Sequence, residues 1–210
     1  VYYESRGHIH CSVKSESSAA NNIGGCFSAE TSVQTDTRGV ISMTDLKVGD
    51  KVLTKTRNGE HIYGEVIMFL DRNRHKLATF IHIETEDHYS LDITDKHLIY
   101  VSDTNSSEYK SVFAEDVRLG QNVLVYTGED IFKASNIIAL TKKLSYGVFA
   151  PLTTEGNIVV DGVVASCYGV INNESIAHMA LAPVRAIHWL LQYISLPYEY
   201  VINNNSEGVH

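Results

Sequence analysis

The sequence predicts an all-β domain built from a duplicated unit and followed by a short helical appendage. Short runs of β-forming residues separated by turn residues fill the middle of the chain. A stretch around Asp45 returns around Asp116, which indicates the duplication. After about Asn173 the apolar residues recur at the spacing that is typical of amphipathic helices. The 210 residues, 44% of them apolar, are enough for one domain with a buried core and an appendage.

Composition and charge exclude several classes of protein. The net charge of -8 and the lack of any block of consecutive Lys or Arg argue against sequence-independent nucleic-acid binding, so no nucleic-acid partner is expected. Three cysteines are too few for a disulfide-stapled mini-protein. The most apolar stretch, Ala177 to Leu196, carries His178, Arg185 and His188, so no membrane span is expected. The chain starts at Val1 without a visible signal peptide and is expected to be an excised piece of a longer protein.

The elements follow one another in a simple order. Residues 1–13 predict a strand or two, and residues 14–25 read as a flexible tether that ends in Gly24-Gly25. Residues 175–196 predict one or two amphipathic helices, broken near Pro183. Between tether and helices, β-strands are predicted over Thr31 to Gln34, Lys51 to Lys55, Ile62 to Phe69, Phe80 to Glu84, Leu98 to Ser102 and Gln121 to Tyr126.

The internal repeat supports a two-part architecture. Residues 43–56 (MTDLKVGDKVLTKT) align without gaps on residues 114–127 (AEDVRLGQNVLVYT), 71 positions later. The same offset carries residues 66–69 onto 137–140, and residues 94–99 onto 165–170. We interpret this as a tandem duplication in which each half buries its apolar face against the other. Coincidence between two amphipathic strands is the alternative.

Cys26 is the first candidate for chemistry. It follows Gly24-Gly25 at the junction between the tether and the folded domain. A thiol in that position is able to attack the carbonyl of Gly25 and convert the amide to a thioester. Glycine suits such a site because a distorted peptide bond and a close approach favour a residue without Cβ. The alternative is that Cys26 is a buried small hydrophobic residue.

Thr94 and His97 form the second candidate group. They are spaced Thr-x-x-His in Thr94-Asp95-Lys96-His97, where a predicted strand meets a loop. This spacing allows a hydroxyl and an imidazole to point at one peptide bond, and an imidazole is able to protonate a departing amide nitrogen. The pattern is common on its own, and a core histidine is the alternative for His97.

With these motifs together, the chain resembles the C-terminal autoprocessing region of hedgehog precursors. Gly-Gly-Cys-Phe at residues 24–27, Phe-Leu-Asp at 69–71, Thr-x-x-His at 94–97 and Ala-Ser-Cys-Tyr at 165–168 stand in that family's order. The resemblance begins in the last strand of the signalling domain and spans nearly the whole chain. It implies the all-β hedgehog/intein (Hint) fold, a horseshoe of strands built from a duplicated unit. The implied division is signalling-domain end and tether over 1–25, Hint domain over 26–170 and partial sterol recognition region over 171–210.

The resemblance also implies a self-directed, single-turnover reaction. Cys26 would attack the Gly25 carbonyl with help from Thr94 and His97, and a sterol hydroxyl would then take the acyl group from the thioester. The aspartate that activates the sterol maps onto Asp71, for which a turn residue is the alternative. Cholesterol is implied as co-substrate, with no metal or cofactor. The implied location is the secretory pathway, with the N-terminal product secreted and anchored to the cell membrane by its lipid.

Two further features have open interpretations. The resemblance places Cys167 near the active centre as an accessory thiol, and we hypothesise a disulfide with Cys26 in an oxidising compartment. A packed core thiol is the alternative. The apolar face of residues 175–196 is expected to bind sterol or a membrane surface, although a helix pair packed on the strands would show the same pattern.

Three rival functions remain at the level of sequence. Intein splicing is disfavoured, because the region after the predicted strands, Val170 to Glu174, lacks a His-Asn ending followed by Cys, Ser or Thr. A Hint domain with a truncated sterol region would form the thioester but allow only thiolysis or hydrolysis. A secreted binding module without catalysis would need no such combination of Cys26, Thr94, His97 and Asp71.

Overall fold

The computed structural model describes residues 24–169 except 105 and 130, together with Ala182, Ala186, Ile187, Trp189 and Leu190. Those last five residues are helical and exposed. The predicted strands in residues 1–13, the tether before Gly24 and the rest of the predicted helical segment lie outside the described residues. Within the described part of the chain, no helix is both long and apolar enough to cross a membrane.

The described region is an all-β structure, as predicted. Its strands are β1 (Ser32–Thr35), β2 (Gly39–Ser42), β3 (Lys51–Lys55), β4 (His61–Thr85), β5 (Ser90–Ile93), β6 (His97–Ser102), β7 (Lys110–Phe113), β8 (Asn122–Tyr126), β9 (Phe132–Thr153), β10 (Asn157–Val160) and β11 (Val163–Gly169). They are ordered β10-β1-β3-β4-β9-β8-β11-β6-β7 in one sheet, with β2 on β1 and β5 on β4. Because β10 also pairs with β11, the path of strands closes on itself.

The duplication is visible in three dimensions. The 3₁₀ helices Met43–Asp45 and Ala114–Asp116 are 71 residues apart, as are β2 and β7, β3 and β8, and the starts of β4 and β9. Gly49 and Gly120 occupy equivalent turns of the two halves, with φ of 91° and 83°. Glycine adopts this conformation without strain. The amide of Gly49 donates to the Val66 carbonyl at 2.8 Å, and that of Gly120 donates to the Ile137 carbonyl at 3.0 Å. The two halves therefore repeat both backbone path and hydrogen bonding.

The third segment of the predicted repeat has a different offset. Thr85 and Tyr89 form the turn between β4 and β5, and Thr153 and Asn157 form the matching turn between β9 and β10, which places the two turns 68 residues apart. The prediction that residues 94–99 match 165–170 at an offset of 71 is therefore wrong. The reason is that β9 has 22 residues where β4 has 25.

The two long strands carry the site. The separately predicted strands Ile62 to Phe69 and Phe80 to Glu84 are parts of the single strand β4, which pairs with β9 over most of its length. The pairing shifts between Phe69 and Arg72 and again between Asn73 and Leu77. These irregularities break the alternation of apolar and polar residues, so the sequence looks like two strands. Such irregularities also redirect side chains, here in the stretch that contains Asp71.

The main core lies directly beneath the start of the described chain. Phe27 is fully buried in it, together with Ile93 of β5, Leu98 of β6, Phe149 of β9 and Tyr168 of β11. Buried aromatic side chains of this size contribute strongly to packing. The residues that follow Gly25 are thereby held in a fixed position between β5 and β9.

Candidate active site

Residues Cys26 and Phe27 are inserted between two strands of the fold. Phe27 forms bridges with both Ile93 and Phe149. Its amide donates to the Phe149 carbonyl at 2.8 Å, and the Phe149 amide donates back to the Phe27 carbonyl at 3.0 Å. The peptide bond between Gly25 and Cys26 is consequently anchored from its C-terminal side by main-chain hydrogen bonds and by a buried ring.

Thr94 holds the same peptide bond with its side chain. The amide nitrogen of Cys26 donates to Thr94 Oγ1 at 2.9 Å, and that hydroxyl donates to the Gly24 carbonyl at 2.9 Å. The Thr94 amide also donates to the Cys26 carbonyl at 3.0 Å. Thr94 is buried, so these bonds form away from water. One residue thus fixes the peptide groups on both sides of Gly25.

Gly25 lies where no side chain fits. A Cβ added there would be 2.8 Å from the Cα of Gly169 and 3.1 Å from that of His97. A Cβ added to Gly169 would be 2.2 Å from the Gly25 nitrogen. The last residue of β11 therefore abuts Gly25 backbone to backbone. This close approach is the physical reason for glycine at both positions.

His97 is buried beside Cys26 and Phe27. Its ring lies 4.3 Å from that of Phe27, centroid to centroid. Its Nε2 donates to the carbonyl of Ser166 at 2.8 Å. A carbonyl only accepts, so this bond places the proton of a neutral imidazole on Nε2 and leaves a lone pair on Nδ1. No hydrogen-bond partner of Nδ1 occurs among the described residues.

The environment keeps His97 neutral near physiological pH. Burial lowers the pKa of its imidazole to about 4, although backbone groups of Ser166 and Cys26 act in the opposite direction. A neutral histidine with a free Nδ1 is able to accept a proton. The backbone of His97 lies beside Gly25, since a Cβ added to Gly25 would be 3.1 Å from the His97 Cα.

The thiol of Cys26 lies in a small apolar cluster. It packs with Ala78, Phe80, Val148 and Ala150 of β4 and β9. Burial raises the pKa of the Cys26 thiol strongly, Asp71 raises this pKa further, and Lys76 lowers it. The thiol is therefore protonated at rest and needs a base to become a nucleophile.

Asp71 and Lys76 flank this cluster from the irregular part of β4. Asp71 is partly buried within the strand, so the alternative that it is a turn residue does not hold. The backbone amide of Lys76 donates to Asn73 Oδ1 at 3.1 Å, which stabilises the local bulge. A carboxylate and an ammonium group are thus both within electrostatic reach of Cys26.

Cys167 is also buried, in the main core. Its Sγ lies 3.5 Å from Thr153 Oγ1, and neither Cys26 nor Cys167 is part of a disulfide. The hypothesised disulfide between them is absent from this structure. The remaining cysteine, Cys11, lies outside the described residues.

The structure brings most of the sequence-predicted residues together. Gly25, Cys26, Thr94 and His97 meet at one peptide bond, and Asp71 acts electrostatically on the Cys26 thiol. Among the described residues, no three His, Cys, Asp or Glu side chains converge in a way that could hold a metal ion.

Sequence reasoning missed three contributors, which are Ser166, Gly169 and Lys76. Ser166 acts through its main-chain carbonyl, for which any residue type would serve. Gly169 follows Ala-Ser-Cys-Tyr directly, and its lack of a side chain was the available signal. Lys76 belongs to no recognised motif, and it acts on the Cys26 thiol from the stretch where the pairing of β4 with β9 shifts.

Comparison with known proteins agrees with this description of the fold. The crystal structure of the gp41-1 intein is similar with a TM-score of 0.51 and 17% identity, covering 69% of this chain and 99% of that one. A DnaB intein from Synechocystis sp. PCC 6803 is similar with a TM-score of 0.56 and 13% identity, covering 70% of this chain and 99% of that one. At such identities the likeness concerns the fold alone.

Sequence comparison finds nearer relatives. Protein hedgehog of Drosophila erecta is 41% identical over 193 residues, which are 90% of this chain and 41% of that protein. The Tiggy-winkle hedgehog protein of Danio rerio is 38% identical over 213 residues, covering 100% of this chain and 51% of that protein. The chain thus spans about half or less of these relatives. The Hint module family model matches residues 14–210. The chain therefore belongs to the Hint module family and is similar to the C-terminal Hint region of hedgehog proteins.

Proposed function

We propose that this chain cleaves its own backbone between Gly25 and Cys26 through an internal thioester and passes the Gly25 acyl group to a sterol hydroxyl. The observation that carries the proposal is the arrangement of Thr94, whose hydroxyl bridges the Cys26 amide and the Gly24 carbonyl at 2.9 Å each. This hydroxyl is buried and contacts the peptide bond that follows Gly25, a position where no side chain fits. A group placed there is suited to distorting and activating that bond.

The first step needs a base and then an acid. Cys26 Sγ forms a bond to the Gly25 carbonyl carbon, and its proton passes to Nδ1 of the neutral His97. The imidazolium then gives that proton to the Cys26 nitrogen as the carbon–nitrogen bond breaks. Burial supports the first transfer, because it favours the uncharged imidazole, and supports the second, because it makes the charged form a strong acid. The products are a thioester on Gly25 and a free amine on Cys26.

Thr94 assists both stages of this step. Its Oγ1 accepts the hydrogen bond from the Cys26 nitrogen, so it fixes the orientation of the leaving group. Its hydroxyl donates a hydrogen bond to the Gly24 carbonyl, and this bond orients the chain before the scissile bond. Holding the reacting groups of one molecule in the correct geometry accelerates the reaction between them.

In the second step a sterol replaces Cys26 on the acyl group. The hydroxyl oxygen bonds to the Gly25 carbonyl carbon, the carbon–sulfur bond breaks, and the hydroxyl proton passes to a base. We assign the base role to Asp71, because its carboxylate is the acidic group that acts on the Cys26 thiol. The cholesterol 3-hydroxyl is the acceptor we propose from the likeness to hedgehog proteins. Secretion and lipid anchoring of the N-terminal product belong to the same proposal.

Incubation with cholesterol tests the second step. Folded precursor is incubated with the sterol in mixed micelles, and the mass of the N-terminal fragment is determined. We expect residues 1–25 to carry an ester-linked sterol, and we expect Asp71→Ala to yield none while it still cleaves with dithiothreitol. If the wild-type fragment is released only by dithiothreitol or water, the chain forms the thioester without sterol transfer. If neither reagent cleaves it, the binding-module alternative stands.

A further inference from the structure

An exposed apolar surface lies on the two strands that hold the nucleophile. Leu77 of β4 is 44% exposed, and Leu144 and Tyr146 of β9 are 64% and 62% exposed. Leu77 pairs with Tyr146, and Thr79 pairs with Leu144, so these four side chains share one face of the strand pair. We name these four residues the arm face. An exposed cluster of large apolar side chains is uncommon on a soluble surface and marks a contact site.

The arm face lies opposite the Cys26 cluster. The alternate residues Ala78 and Phe80 point to the other side of β4 and pack with Cys26. The carbonyl of Tyr146 accepts a hydrogen bond from the Ala29 amide at 3.2 Å, three residues after Cys26. A partner on the arm face would therefore be one sheet thickness from the reacting thiol.

Two cationic side chains, Arg74 and Lys142, border the arm face. Arg74 lies three residues before Leu77 and is exposed, and its guanidinium donates to the Thr44 carbonyl at 2.5 Å. Lys142 is exposed opposite Ile81, the next pair along the same face. None of the paired positions 77, 79, 81, 142, 144 and 146 holds a carboxylate. Arg74 and Lys142 form a basic margin beside the arm face, whereas the chain as a whole has a net charge of -8.

We propose that the arm face is a docking surface for a lipid bilayer that contains anionic lipids. Leucine and tyrosine side chains insert at the level of the lipid headgroups, where tyrosine keeps its hydroxyl in water. The basic margin is attracted to anionic headgroups. The four residues of the arm face do not belong to the stretch 175–196. The role of this docking surface rests on the proposed function, because a sterol acceptor resides in a bilayer and the contact brings that bilayer close to the thioester.

The single tryptophan of the chain allows a direct test. In a Trp189→Phe background, Tyr146→Trp places one fluorescent reporter on the arm face. Vesicles of phosphatidylcholine and phosphatidylserine are added, with and without brominated acyl chains. We expect a blue shift of the emission and strong quenching by the brominated lipid. The matched control is Leu119→Trp in the same background, because Leu119 is 62% exposed and lies outside the arm face. It should show neither change.

Flotation of unlabelled full-length protein with the same vesicles provides a second readout. The double variant Leu144→Ser/Tyr146→Ser should lower vesicle partition about tenfold or more relative to wild type, because two large apolar side chains no longer insert into the lipid. Leu119→Ser should bind as wild type does. Cleavage by dithiothreitol, measured on each variant, verifies that the fold is retained.

Three results would overturn the docking surface. They are a reporter at 146 that brominated lipid does not quench, equal quenching at 119, and emission at 146 that is already blue-shifted without vesicles. The last would mean that another part of the chain covers the arm face. Vesicle binding by a protein that never cleaves would instead refute the proposed function and leave the docking surface intact.

Discussion

Thr94 and Cys26 are joined by two hydrogen bonds, one through the Thr94 side chain and one through its backbone. The Cys26 amide donates to Thr94 Oγ1 at 2.9 Å, and the Thr94 amide donates to the Cys26 carbonyl at 3.0 Å. The two residues are 68 positions apart in the chain. The peptide bond after Gly25 is therefore positioned by a distant strand end, and the proposed cleavage would require the folded state.

This relationship predicts the effect of removing the hydroxyl. Thr94→Ala should slow cleavage by dithiothreitol about 100-fold, because the leaving nitrogen loses its buried partner. Thr94→Ser keeps the oxygen and should retain most of the rate. The measurement is the rate at which the fragment starting at Cys26 appears. Equal rates for Thr94→Ala and wild type would remove Thr94 from the mechanism.

His97 should make stability depend on pH. Its folded pKa of about 4 lies below the ordinary value of 6.5, so the unfolded chain binds the proton more readily between these values. The contribution of His97 to the free energy of unfolding is then fully present above about pH 6.5. It is lost as the pH falls toward 4, by roughly 3 kcal/mol in total.

Denaturant unfolding of wild type and His97→Gln at several pH values checks this. The variant should lack the part of the pH dependence that His97 contributes, so the two curves should converge as the pH falls. Parallel curves would mean that His97 is not buried in its neutral form.

The contact between Gly25 and Gly169 predicts a long-range effect on cleavage. Gly169→Ala should slow thioester formation about 100-fold, because its Cβ would clash with the Gly25 nitrogen and displace the scissile bond. Gly128→Asn is the control, because nothing lies within 4 Å of a Cβ there and Asn tolerates positive φ. Normal cleavage in Gly169→Ala would show that the approach of β11 is irrelevant to the reaction.

Asp71 and Lys76 should act in opposite directions on the Cys26 thiol. Asp71→Asn lowers the thiol pKa and should preserve or accelerate cleavage by dithiothreitol, whereas Lys76→Met raises this pKa and should slow cleavage. Rates measured over a range of pH separate the two variants. An Asp71→Asn protein that fails to cleave with dithiothreitol would contradict its assignment to the second step.

The reduced state of the two buried thiols is also testable. Cys26 and Cys167 should both react with an alkylating reagent when non-reduced precursor is denatured. Peptide mapping identifies the labelled positions. Recovery of a peptide pair linked through these residues would support the disulfide hypothesis instead.

Local motifs were sufficient to predict which residues meet at the Gly25–Cys26 peptide bond. Gly25, Cys26, Thr94 and His97 lie in two short motifs, and the fold brings these motifs together at one peptide bond. The duplication was also predictable through its first part, since the two 3₁₀ helices and the strands β3 and β8 keep the offset of 71. Residue type carries this information because turns and apolar faces require particular side chains.

The remainder depended on features that residue type does not encode. The continuity of β4 was hidden because two irregularities interrupt its alternation near Asp71 and Lys76. The shorter β9 shifted the offset of the last repeated segment. The partner of His97 is the main-chain carbonyl of Ser166, which leaves no signature in the sequence.

Conversion of the Gly25–Cys26 amide to a thioester is tested by the mass of the products formed with dithiothreitol. Wild-type protein should yield residues 1–25 as a dithiothreitol adduct and a second fragment that starts at Cys26. Cys26→Ala should remain intact, and Cys167→Ala should cleave as wild type does. An unchanged mass for folded wild-type protein, or cleavage that persists in Cys26→Ala, would contradict the mechanism.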